Sequence, residues 1–204
     1  MNTRTILLIV VMALFLMDLI REMMMKKKRE KLLDQMMQAL AQGDYDAFDE
    51  LAASEEARRL IPLYNISFMK LNEALMKNDP EQIEEALGSF KGRMNDAQKD
   101  ALYRKAFYYY VSVKDKEKAK EYYDLLKDLN TGNRTPLDVM YNTYIEEGSM
   151  YLDRTLEEID KLTTEEEKLP YYALICDMYT NAGDTDKAKE YEELVNRLTQ
   201  EGDH

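Results

Sequence analysis

Few residues in this chain could carry chemistry. Cys176 is the single thiol, so an intramolecular disulfide, a Cys-Cys redox pair and a cysteine-based zinc cluster are all ruled out. His204 is the single imidazole and the last residue, a position where fixed catalytic geometry is not expected. Carboxylates are plentiful, but runs such as Glu165-Glu166-Glu167 and Glu190 to Glu193 read as solvated helix faces, because a metal site needs converging ligands. No nucleophile-base pairing and no phosphate-cradling glycine loop stands out. The expectation is a protein without catalytic residues, metal, cofactor or small-molecule substrate.

What positions such residues is a helical frame. Seven Gly and four Pro in 204 residues are too few for a strand-and-turn protein, while abundant Ala, Leu, Met, Lys, Glu and Gln favour helix. The predicted class is all-α. Fourteen Met and fifteen Tyr against no Trp and five Phe suggest helix contacts filled by thioethers and amphipathic rings. The formal charge of −12 is uneven. Residues 1–31 hold seven Lys/Arg against three Asp/Glu, a local balance of +4, so the remainder carries −16. An acidic body repels phosphate backbones, and nucleic acid is not an expected partner.

The apolar run ILLIVVMALFLM from Ile6 to Met17 explains the N-terminal segment. At the helical rise, residues 5–25 cover about 31 Å against roughly 30 Å of hydrocarbon. A transmembrane anchor over 1–25 is therefore predicted, with Asp18, Arg21 and Glu22 near one interface, where they can pair or snorkel. A cleaved signal peptide fits less well, since Asp-Leu-Ile-Arg-Glu follows the apolar core where small residues should stand. Lys26, Lys27, Lys28, Arg29 and Lys31 form a juxtamembrane segment over 26–31 that should meet the membrane surface. Their excess after the span predicts a single-pass cell-membrane protein whose body faces the cytoplasm.

The remainder is periodic. Polar breaks at Gly43, Asn78, Lys114, Gly148 and Gly183 recur at intervals of about 35 residues, the range of helix-turn-helix solenoids. The spacing predicts first helices over 27–41, 62–77, 96–113, 136–147 and 165–182, and second helices over 45–58, 80–93, 116–129, 150–162 and 185–199. Asp79 is the expected cap and Pro80 the first-turn residue of one of them. Residues 130–136 form the longest connector, and 200–204 a disordered tail.

In its fifth unit the chain resembles the tetratricopeptide repeat family, through Tyr172, Ile175, Cys176, Tyr179, Gly183, Ala188 and Val195. The third unit is similar through Tyr103, Ala106, Phe107, Tyr110, Ala119, Tyr123 and Leu126, and the other units are degenerate. The resemblance implies an α-solenoid of about five helix-turn-helix repeats over 32–199, behind one transmembrane helix. It also implies a concave face lined by the first helices. Asn72, Tyr108, Asn142 and Asp177 would share a stripe on that face, with Phe68 and Arg104 four residues before the first two. Such a stripe suits an unidentified protein or peptide partner. The expected function is a membrane-tethered, non-enzymatic interaction scaffold. A structural subunit of a larger membrane complex, or an extracytoplasmic repeat protein of inverted topology, are the alternatives.

Overall fold

The computed structural model describes residues 3–90, 92–129 and 134–202, with side chains for residue 12 and from 15 onward as far as 200. Its described residues form eleven helices and no strand, an all-α fold compatible with a solenoid. The chain divides into two compact units, Met1–Arg93 and Met94–His204.

Unit 1 begins with α1 (Thr3–Gln42), followed by α2 (Tyr45–Ala53), α3 (Glu55–Leu60), α4 (Leu63–Lys77) and α5 (Pro80–Gly88). The expected anchor and the expected first repeat helix are thus one unbroken helix of 40 residues. Its C-terminal third buries Leu32, Met36, Ala39 and Leu40 against Phe48 and Ala52 of α2, Ala57 and Leu60 of α3, and Ile66 of α4. The helix expected over 45–58 is split at Ser54. Its extended backbone lets the hydroxyl accept from the Ala57 amide at 3.0 Å, and Glu55 and Glu56 suit the first turn of a new helix. α5 is also shorter than its pattern suggests, ending at Gly88.

Unit 2 contains α6 (Asp96–Ser112), α7 (Lys116–Leu129), α8 (Thr135–Tyr144), α9 (Leu152–Ile159), α10 (Glu165–Ala182) and α11 (Thr185–Gly202). α6 packs on α7 and α10 on α11, while α8 and α9 both pack on α10. Leu102, Ala106, Phe107, Tyr110, Ala119, Leu126, Ile175 and Met178 are buried. The tail expected over 200–204 is helical as far as Gly202, and residues 203–204 and 130–133 lie outside the described residues.

One turn recurs in both units. Gly43, Asn78, Lys114 and Gly183 adopt left-handed backbone with φ of 71, 51, 60 and 78°. The aspartate that follows each donates its amide five residues back, as in Asp44 to Ala39 at 2.9 Å and Asp184 to Tyr179 at 3.0 Å. This closes the preceding helix in a Schellman motif. The same aspartate then caps the next helix. Asp44, Asp79, Asp115 and Asp184 accept from the amides of Ala47, Gln82, Lys118 and Lys187 at 3.0 to 3.2 Å. Two adjacent residues therefore end one helix and start the next.

The fourth turn departs from this pattern and corrects the expected register. Glu147, with φ 53°, holds the left-handed position, not Gly148, and a longer loop leads to α9. Gly148 serves a different need: a Cβ there would lie 2.5 Å from Asn142 Nδ2.

Candidate functional site

The grooves of unit 2 follow from which side of α8 each residue occupies. Asn142 and Tyr144 stand two positions apart, about 200° around a helix, so they face opposite sides.

On the Tyr144 side lies a groove of about 760 Å³ formed by α6, α8, α9 and α10. Its lining is mainly apolar and aromatic, including Tyr108, Val139, Met140, Tyr144, Tyr171 and Leu174. A further hollow of about 560 Å³ shares Tyr108, Met140 and Tyr144 with it and extends toward Lys114, Asp177 and Asn181. Tyr108 is 39% exposed, enough to offer its ring to a ligand. Pro170 sits inside α10 and on the groove wall. A proline there removes an amide donor and leaves the carbonyl four residues earlier without its helical bond.

Polar contacts hold the groove wall in shape. Tyr144 donates its hydroxyl to Asp177 Oδ2 at 2.8 Å. Burial first, and then this hydrogen bond to a carboxylate, push the Tyr144 phenol well above its ordinary value. Asn181 donates from Nδ2 to the carbonyls of Thr143 at 2.8 Å and Gly148 at 3.1 Å, tying α10 to the end of α8. Desolvation also raises the Tyr108 phenol, with Arg104 opposing it. These phenols remain neutral donors over the physiological range.

The six residues expected on the concave face are distributed as follows. Tyr108 lines both the groove and the adjoining hollow, while Asp177 lines the hollow only, with its carboxylate engaged by Tyr144. Arg104 is half-buried and committed to Asp100 through bonds of 2.6 and 3.1 Å, which hold its guanidinium protonated more firmly than usual.

Asn142 requires correction. It is buried, and its amide organises the fourth turn by donating to Glu146 Oε2 at 3.0 Å and accepting from the Met150 amide at 3.1 Å. It lines a different groove, beside Tyr123 and Tyr141, whose rings stack at 3.9 Å. Counting two residues back from Tyr144, as Tyr108 stands two before Tyr110, is what selected it, and two positions lie about 200° around α8 from the wall that Tyr144 lines.

Phe68 and Asn72 belong to unit 1. Phe68 stacks on Tyr64 at 5.7 Å, and Tyr64 meets Phe90 edge-on at 5.6 Å. The side-chain oxygen of Asn72 is buried without a hydrogen-bond partner. Met140, Tyr144, Tyr171 and Leu174 were missed by the stripe, although Val139, Met140, Thr143 and Tyr144 already form an i, i+1, i+4, i+5 face of α8.

Cys176 packs between α10 and α11, its thiol directed to the Ala188 carbonyl at 3.3 Å. Burial raises the thiol, and Asp177 and Glu192 add to the shift, so thiolate is suppressed. Among the described residues, no group of three His, Cys, Asp or Glu converges as metal ligands.

At the other end of the chain, Lys26, Lys27, Lys28, Arg29 and Lys31 are all exposed on α1, and Lys26 pairs with Glu30 at 3.8 Å. Eight large apolar side chains between Met12 and Met24 are exposed by 43 to 66%. At 100° per residue they cover about 200° of the helix, and Asp18, Arg21 and Glu22 take most of the rest. Among the described residues, no helix is long and apolar enough to cross a membrane. The side chains of 6–11, 13 and 14, the centre of the expected anchor, lie outside those described. Comparison with protein families, curated proteins and solved structures finds no match to this chain.

Proposed function

We propose that this chain is a membrane-tethered, non-enzymatic scaffold of the tetratricopeptide type whose repeat body faces the cytoplasm and binds a polypeptide in the groove of unit 2. The observation that carries the reading is the groove itself. Its wall is rich in tyrosine and aliphatic side chains, with phenols as directional groups. Binding surfaces of this kind anchor a partner through a few aromatic contacts in an apolar setting. Repeated left-handed turns about 35 residues apart support the repeat reading. The tether reading is supported by the apolar run at Ile6–Met17 and by the exposed apolar surface that continues it to Met24. The basic residues after the run support the cytoplasmic orientation.

The test is photo-crosslinking in intact membranes, with the probe at Tyr108 or Met140 and, as a control, at Glu146 beside the opposite groove. A polypeptide adduct of one mass, formed from the first two positions and not from the third, is expected. Equal labelling from all three positions, or adducts from Glu146 alone, would remove the groove as the binding site.

A further inference from the structure

Unit 1 approaches the expected membrane interface without a linker. Met25 lies just beyond the apolar stretch, yet it packs against the same core cluster that contains Leu60 and Ile61. Only five residues separate it from Ile20, about 8 Å of helix. From the turn at Gly43, α2 and α3 pack back along α1, and the last turn of α3 joins, through Leu60, the cluster on which Met25 packs. That turn carries Arg58 and Arg59, both exposed. Among the described residues, neither has an ion-pair partner. Next to them Leu63 opens α4 with 65% of its surface exposed.

We propose that this end of unit 1 docks on anionic lipid headgroups, with Arg58 and Arg59 of α3 joining the basic ring of Lys26, Lys27, Lys28 and Arg29 around α1. The inference rests on the tether reading for its geometry. Lys26, Lys27, Lys28 and Arg29 step around α1 in increments of about 100°, so they surround the helix just outside the apolar stretch. Arg58 and Arg59 come from the side that Met25 and Leu32 turn toward the core. Charge complementarity favours an anionic bilayer as the occupant. Residues 21–31 carry six basic and two acidic side chains, whereas the whole chain stands at −12. A negative surface therefore attracts this end and repels the acidic remainder, giving unit 1 a preferred orientation.

The experiment uses the full chain in vesicles of phosphatidylcholine alone, and in vesicles with roughly one-third phosphatidylserine to supply surface charge. A fluorophore on Leu63→Cys, in a Cys176→Ser background, reports proximity to a headgroup quencher. Quenching should be stronger with phosphatidylserine and weaken at high salt, where the Debye length shortens. R58Q/R59Q should lower the docked-to-undocked ratio by about fivefold for each arginine, with an unchanged circular dichroism spectrum. Identical quenching in both lipids, or no effect of R58Q/R59Q, overturns the proposal. Carbonate extraction from phosphatidylcholine vesicles tests the tether separately. Chain released there, but floating with phosphatidylserine vesicles through Arg58 and Arg59, would overturn the tether and retain the docking surface.

Discussion

Gly148→Ala offers a direct test of the fourth turn. A Cβ at this position would stand 2.5 Å from Asn142 Nδ2 and 2.9 Å from both Cγ and Oδ1. Asn142 cannot yield freely, because it is buried and holds Glu146 and the Met150 amide. If the added methyl turns the amide out, two hydrogen bonds are lost, at about 1 kcal/mol each. Replacing Gly restricts the unfolded chain and returns roughly 0.4–1 kcal/mol. The net expectation is a loss of about 1–2 kcal/mol. For a unit of roughly 110 residues this lowers the melting temperature by about 4–9 °C.

The effect should pass through Asn142. Asn142→Ala alone should cost about 1–2 kcal/mol by leaving the Met150 amide without its acceptor. The double variant should then cost little more than Asn142→Ala, because the methyl no longer meets an amide. A coupling of at least 1 kcal/mol is expected in the cycle. Gly183→Ala should also destabilise, but for another reason. Its Cβ meets nothing within 4 Å, and its φ of 78° is the obstacle. Thermal unfolding of the full chain in mild detergent, followed by circular dichroism, measures each term. Strictly additive losses, or Asn142→Ala within about 0.5 kcal/mol of the parent, would refute the account and return Asn142 to a solvated face.

Other outcomes follow from neighbouring contacts. Ala188→Leu should overpack the α10–α11 crossing beside Cys176 and cost about 1–3 kcal/mol, measured by the same unfolding assay. Tyr144→Phe removes the bond to Asp177 and should cost about 1 kcal/mol near neutral pH. Because the folded phenol is raised above its unfolded value near 10, its contribution is fully present below that pH and is lost as pH rises through the folded value. Stability should therefore fall above about pH 10 in the parent and fall less steeply in Tyr144→Phe. Changing Lys26, Lys27, Lys28, Arg29 and Lys31 to Gln should produce mixed topology, detected by a reporter after His204 that is active only outside the membrane.

Most helix boundaries were legible because four of the turns carry their own punctuation. Asn78-Asp79-Pro80 states a left-handed stop, a cap and a first-turn proline in adjacent residues. Lys114-Asp115 uses the same geometry with a residue that has no turn preference, and only the spacing reveals it. The cap at Ser54 was harder to read, since Ser54 sits inside a continuous Ala, Leu and Glu pattern and acts only once Glu55 and Glu56 are taken as a new first turn. The groove was less legible than the helices for a geometric reason. A repeat period tolerates an uncertainty of one residue when locating a helix, but one residue rotates a helical side chain by about 100°. Counting two residues back from Tyr144, as Tyr108 stands two before Tyr110, selected Asn142, and two positions turn the helix by about 200°, to the opposite side of α8.

That rotation also explains why a tyrosine-rich groove can arise beside a tyrosine-rich core. On α6, Tyr110 is buried and stacks on Tyr122 at 5.5 Å, whereas Tyr108, two positions earlier, opens onto the groove. On α8, Tyr141 stacks on Tyr123 while Tyr144 faces the groove and bonds Asp177. The same residue type supplies apolar area on one side and a hydroxyl on the other, so its role depends on helical phase. Composition cannot separate these roles. The contacts that fix the phase, Asn142 to the fourth turn and Asn181 to the carbonyls of Thr143 and Gly148, join residues up to 38 positions apart. They lie beyond any local pattern, which is why the side of α8 that lines the groove becomes evident only once α10 is packed against it.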